Sequence, residues 1–172
     1  DAKLLKDKSL FFRIPLPGRP MALRFSKTGR SVYVANYLAN AIQKVDLETK
    51  KVTQTIPLGG SEKPSLARQG EAIFCDGKRS LDQWYSCHSC HYEGHTNAVA
   101  MDTLNDGRFG NFKTVLSLRG VHETGPYFWH GWEKDLRNAI AKSLTTTMLG
   151  KNPSKDDVEA VFEFLKTLEH PV

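Results

Sequence analysis

The chain has 172 residues, 40% of them hydrophobic and 25% charged, with 13 Gly, 8 Pro and 10% aromatics, a composition that excludes disorder and collagen-like repeats. Twenty-four Lys and Arg against nineteen Asp and Glu leave a net charge of +5, but the longest basic runs are dipeptides such as Lys50-Lys51, so a nucleic-acid partner is not indicated. No apolar run approaches the roughly eighteen residues of a membrane span. The N-terminal stretch from Asp1 to Asp7 carries no leader pattern, and the chain reads as mature or excised.

Residues 1–60 are rich in short β-branched or aromatic runs divided by turn residues. Strands are predicted near Leu10–Leu16, Ala22–Ser26, Ser31–Asn36, Ala41–Leu47 and Lys51–Leu58. In Ser31–Asn36, Val32 and Val34 fall on one face and Tyr33 and Ala35 on the other, which predicts cover on both sides. Ile14-Pro15-Leu16-Pro17-Gly18 returns as Ile56-Pro57-Leu58-Gly59-Gly60, an offset of 42 residues. A period near forty with four strands per repeat is the signature of a propeller blade.

Tyr33-Val34-Ala35-Asn36 and the turn from Asp46 through Val52 resemble the YVTN-type β-propeller family, over residues 10–60. One blade buries its faces only against neighbours. The resemblance therefore implies remaining blades from the same precursor or from another chain.

Residues 61–172 change to helical signals. Pro64-Ser65 starts a helix carrying Leu66, Gly70, Ile73 and Phe74 on one face, and a second is predicted from Glu133 or Asp135 to about Leu144. Ser154 with Asp157 forms an Asp-type capping box before Val158, Val161, Phe162, Leu165 and Leu168 at helical spacing. The long Gly-, Asn- and Asp-rich stretch between the first two helices needs something to organise it. A large cofactor would do so.

Cys87-His88-Ser89-Cys90-His91 is C-x-x-C-H, the attachment signature of c-type haem. Two cysteines three residues apart present both sulfurs to a porphyrin edge, and the next residue places an imidazole under the iron. A zinc site using Cys75 and His95 lacks a second paired knuckle, and a thiol redox pair lacks its βαβ setting. One covalent haem is therefore expected, on Cys87 and Cys90, with His91 as iron ligand. Gly70 and Phe74 on the first helix, with Phe164 and Leu165 on the last, look like the helix crossing that flanks the haem in small cytochromes c.

Gly70-Glu71-Ala72-Ile73-Phe74, the haem site, Ser117-Leu118-Arg119-Gly120-Val121 and Thr124-Gly125-Pro126-Tyr127-Phe128-Trp129-His130-Gly131 resemble the haem domains of the bacterial di-haem cytochrome c peroxidase and methylamine-utilisation family. That resemblance covers residues 66–169. It implies a fold in which a partial β-propeller, residues 1–60, precedes an all-α cytochrome c-like haem domain, residues 61–172. Family members carry two haem domains whereas this chain has a single C-x-x-C-H, which argues against peroxidase chemistry.

Arg119 is a candidate partner for a haem propionate, and Trp129 a candidate wall of the haem crevice. Met148 is the expected distal ligand. It follows the Trp129–Gly131 turn and precedes the last helix, whereas Met101 would require a loop that folds straight back over the ring. The leading function is electron transfer with a redox protein partner; the alternatives are a haem enzyme or the haem subunit of a larger redox complex. Covalent haem attachment implies a periplasmic or otherwise exported protein.

Overall fold

The computed structural model describes residues 6–7, 12–60 and 63–170, and the chain divides into two compact units, Asp1–Glu62 and Lys63–Val172. In the first unit, strands β1 (Pro20–Phe25), β2 (Ser31–Asn36), β3 (Ala41–Asp46) and β4 (Lys51–Pro57) form one antiparallel sheet in sequence order. Each strand pairs with the one before it because short turns join them. After β3, the Asp46 carboxylate accepts from the Thr49 amide at 2.7 Å and the Thr49 hydroxyl at 2.9 Å, closing the turn into β4.

Alternation then decides which face is buried. Val32, Val34 and Val45 point to one side, where Ile14 and Leu16 cover them. Asn36 and Gln43 are buried on the same side; the Asn36 amide donates to the Pro17 carbonyl and, at 3.0 Å, to the Gln43 side chain. These bonds tie the covering segment to the sheet.

Several expectations change here. The strand predicted from Leu10 begins at residues outside those described, and from Phe12 to Arg19 the chain forms no strand. Tyr33 and Ala35 are exposed, so β2 is covered on one face only. Among the described residues the first unit holds one four-stranded antiparallel sheet over residues 20–57, with no strand of a preceding blade beside it. A partial propeller is therefore not the fold class of this chain.

The second unit is not all-α either. It holds α1 (Leu66–Phe74), α2 (Cys87–Cys90), α3 (Leu136–Lys142) and α4 (Lys155–Lys166), together with a two-stranded sheet of β5 (Ala100–Asp102) and β6 (Phe112–Thr114) and several 3-10 turns. Turn residues explain the shortfall in helix. Asp102 accepts from the amides of Leu104 and Gly110, and Asp106 from the amide of Arg108. These side chains satisfy the backbone in a non-helical path.

Ser65 caps α1 and Asp135 caps α3, while Ser154 and Asp157 form the capping box of α4. α1 and α4 pack face to face. Gly70 admits the Ala160 carbonyl, and the rings of Phe74 and Phe164 lie 5.2 Å apart. Ile73, Phe74, Leu136, Ile140, Val161 and Leu165 make up the core between α1, α3 and α4. At its end α3 widens into a π-type turn, Ser143–Thr147, that delivers Met148 to the interior.

Candidate haem-attachment site

α2 is a single turn closed by a reciprocal cap between Ser86 and Ser89, and the His91 amide donates to the Cys87 carbonyl at 2.8 Å. This turn places Cys87, Cys90 and His91 along one wall. Two apolar-lined cavities, about 230 Å³ and about 150 Å³, both touch Cys87, His91, Leu116, Phe128 and Ser143. The five shared residues set the two cavities side by side. The larger part is walled by Ile140 and Leu165 from the core, and the smaller part by Cys90, Met101, Trp129 and Met148.

His91 has one nitrogen already assigned. Its Nδ1–H donates to the Leu116 carbonyl at 2.8 Å. That bond fixes the tautomer in which Nε2 keeps its lone pair, the arrangement of a ligating imidazole. Desolvation by burial lowers the His91 pKa from its usual value and favours the neutral ring. Burial likewise pushes the Cys87 thiol up to about 12, and that of Cys90 in the same direction. The thiols are thus protonated at neutral pH, unlike those of a reactive redox pair. No disulfide joins the cysteines, and no group of three His, Cys, Asp or Glu able to hold a metal ion occurs among the described residues.

The donor set fits haem c: two unpaired thiols on one turn, an imidazole with Nδ1 engaged, and a shared apolar space beside them. Met148 is 3% exposed, and its sulfur lies 3.6 Å from the Cys87 sulfur. Met101 lies closer still to the other cysteine, 3.1 Å from sulfur to sulfur with Cys90. The hairpin of β5 and β6 does fold back, contrary to the expectation that set Met101 aside. Trp129 lines the smaller cavity and donates its indole N–H to the Thr114 carbonyl at 2.9 Å. Arg119 is exposed and lines neither cavity, although its neighbours Ser117 and Leu118 line the larger one.

Sequence reasoning missed Tyr85 and Leu116. Tyr85 walls the smaller cavity and donates its hydroxyl to the Thr147 carbonyl, and burial pushes its pKa up to about 12. Leu116 acts through its backbone oxygen, which leaves no side-chain signal to find. Cys75, His95, His122 and His130 line neither cavity; His95 Nδ1 pairs with the Ser117 hydroxyl at 2.7 Å and His130 stacks on Trp132.

No family model matches the chain. The chain is 38% identical over 118 residues to hydrazine synthase subunit gamma of Kuenenia stuttgartiensis, a match that covers 62% of this chain and 33% of that protein. It spans about a third of the length of this curated relative. In fold it is similar to a chain of the solved Kuenenia stuttgartiensis hydrazine synthase under xenon pressure, with a TM-score of 0.60 and 24% identity over 69% of this chain and 48% of that one. These findings replace the resemblance to a YVTN-type propeller joined to a di-haem peroxidase domain. The similarity found is to a subunit of hydrazine synthase.

Proposed function

We propose that this chain is a haem c-carrying subunit of a larger redox complex. The observation that carries the reading is the hydrogen bond from His91 Nδ1 to Leu116, made beside two unpaired thiols on the same cavity wall. Similarity to one subunit of a named synthase favours a working partner protein over a free-standing electron carrier. When bound, the haem supplies one-electron exchange at its iron.

The residues of the chain have distinct tasks in this proposal. Cys87 and Cys90 would hold the ring through thioethers and His91 Nε2 would bind the iron, with the imidazole oriented by its hydrogen bond to the Leu116 carbonyl. Ile140, Leu165 and Phe128 exclude water, which favours the less charged reduced state. Met148 would offer its sulfur as a second ligand to the iron, and Arg119 would supply a charge partner for a propionate. No described helix is long and apolar enough to cross a membrane. Covalent attachment of haem c is proposed to take place outside the cytoplasm.

Mass spectrometry of the denatured, natively produced protein tests the core of the proposal. One haem mass should remain on the peptide that contains Cys87 and Cys90. Two alkylatable thiols at these positions would end it.

A further inference from the structure

The geometry points to Thr96 as a positioning residue: through the backbone beside Leu116 it sets the hydrogen bond that His91 makes, and with it the reduction potential of the haem. The inference rests on the haem reading above. The oxygen that receives His91 Nδ1–H, at 2.8 Å, belongs to the peptide unit between Leu116 and Ser117. Its direction is fixed by the units on either side. The unit before it, between Val115 and Leu116, offers its oxygen to the Thr96 hydroxyl at 2.8 Å. The unit after it, between Ser117 and Leu118, donates its N–H to the Gly94 carbonyl at 3.0 Å. With both flanking planes pinned, the middle plane has little rotation left, and its oxygen stays turned toward the imidazole.

Both anchors come from one short segment, residues 94–97, and that segment is itself tied to the attachment turn. The Asn97 backbone N–H donates to the Cys90 carbonyl at 2.9 Å, and its side-chain amide donates to the Ser89 carbonyl at 3.1 Å. Residues 94–97 are therefore a brace between the turn that carries His91 and the segment that carries Leu116. Two side chains of the brace reach across. His95 meets the Ser117 hydroxyl at 2.7 Å, but that pair is exposed and ends on a side chain, which can turn without moving the backbone. Thr96 bonds the backbone itself, at Val115, which is buried. Its hydroxyl oxygen also accepts from the Ala98 amide at 2.9 Å, so the hydroxyl proton is left for Val115.

The consequence runs through the imidazole. An Nδ1–H held by a carbonyl makes Nε2 a stronger donor to iron, and a stronger donor favours the ferric state over the ferrous one. Releasing Val115 lets the Leu116 oxygen move away from His91, weakens that donor and raises the potential. Thr96 lines neither cavity, so it acts only through the backbone it holds.

The test is a redox titration of the haem-carrying protein. Thr96→Val keeps the side-chain shape and removes the hydroxyl. It should raise the ratio of reduced to oxidised haem at a fixed electrode poise by about threefold, with the covalent haem retained. Thr96→Ser should return the ratio to that of the parent. Asn97→Ala, which frees the other end of the brace, should shift it in the same direction as Thr96→Val. Thr167→Val is the control: the Thr167 hydroxyl donates to the Phe164 carbonyl at 2.7 Å, the residue lines neither cavity, and the ratio should not move. An unchanged ratio in whichever brace variant holds haem, a shift that Thr96→Ser does not reverse, or an equal shift in the control would overturn the positioning role with the haem reading intact. Loss of covalent haem from both Thr96→Val and Asn97→Ala would also overturn it, since the brace would then serve attachment. A parent chain that carries no covalent haem would sink both readings.

Discussion

Gly70 and Ala160 meet backbone to backbone: a Cβ on Gly70 would overlap the Ala160 carbonyl and crowd the Phe164 Cβ. Neither neighbour can yield, since one is helix backbone and the other is fixed in the contact with Phe74. Gly70→Ala should therefore force α1 away from α4 and cost about 3 kcal/mol. Thermal unfolding measures it. A variant within about 0.5 kcal/mol of the parent would show that the helices do not depend on this approach.

Met148 and Met101 can be told apart by spectroscopy. If Met148 ligates the iron, Met148→Ala should abolish the weak sulfur-to-iron band at the red end of the ferric spectrum and admit carbon monoxide to the ferrous protein. Met101→Ala should leave both properties alone. The reverse pattern would transfer the ligand role to the β5–β6 hairpin.

Arg79 and Asp157 join the segment before the haem-attachment turn to the first turn of α4, through two hydrogen bonds of 3.0 and 3.2 Å. The Arg79 hydrogen bonds hold the Asp157 pKa below the usual carboxylate value, against the opposing effect of partial burial. A carboxylate with a depressed folded pKa stabilises fully above its unfolded pKa, and that stabilisation is lost as pH falls through the folded one. Asp157→Asn should cost about 1 kcal/mol at neutral pH, both side chains being partly solvated. The gap between wild type and variant should hold down to about pH 4 and close below it. A gap that widened on acidification would contradict the assignment.

Tyr85→Phe removes one buried hydroxyl and leaves the Thr147 carbonyl short of its partner. A loss of about 1 kcal/mol is expected, with the haem content unchanged. Loss of covalent haem in this variant would instead give Tyr85 a part in attachment.

Much of this was legible where a local pattern carries its own physical cause. Ser31–Asn36 reads as a strand because β-branched and aromatic residues lie between turn signals, and Ser154 with Asp157 reads as a helix start because the cap is reciprocal. Cys87, Cys90 and His91 stand out in the sequence because haem attachment demands that spacing. The return of Met101 was not legible: β5 and β6 have three residues each, and the path between them is set by Asp102 and Asp106 bonding to nearby backbone, which leaves no periodicity. Nor can a hydrophobic pattern tell that Tyr33 and Ala35 lie open while Val32 and Val34 are covered, since all four are apolar enough for either side. The repeat of Ile-Pro-Leu misled for a related reason. The first copy covers the sheet, whereas Ile56 and Leu58 in the second are exposed.

The packing of α1 on α4 sets an order of events for folding. In the first unit every strand pairs with its neighbour in the chain, so contact order is low and the sheet can form as it is synthesised. The second unit brings together helices from its two ends, with the attachment turn between them, and the entropy of closing that long loop must be met before the core exists. Until α4 emerges, Cys87 and Cys90 belong to an open chain. Afterwards the same sulfurs are walled in by Met148 and Met101. If the proposed haem is attached at these sulfurs, its yield would be decided by the rate of attachment relative to the rate of closure.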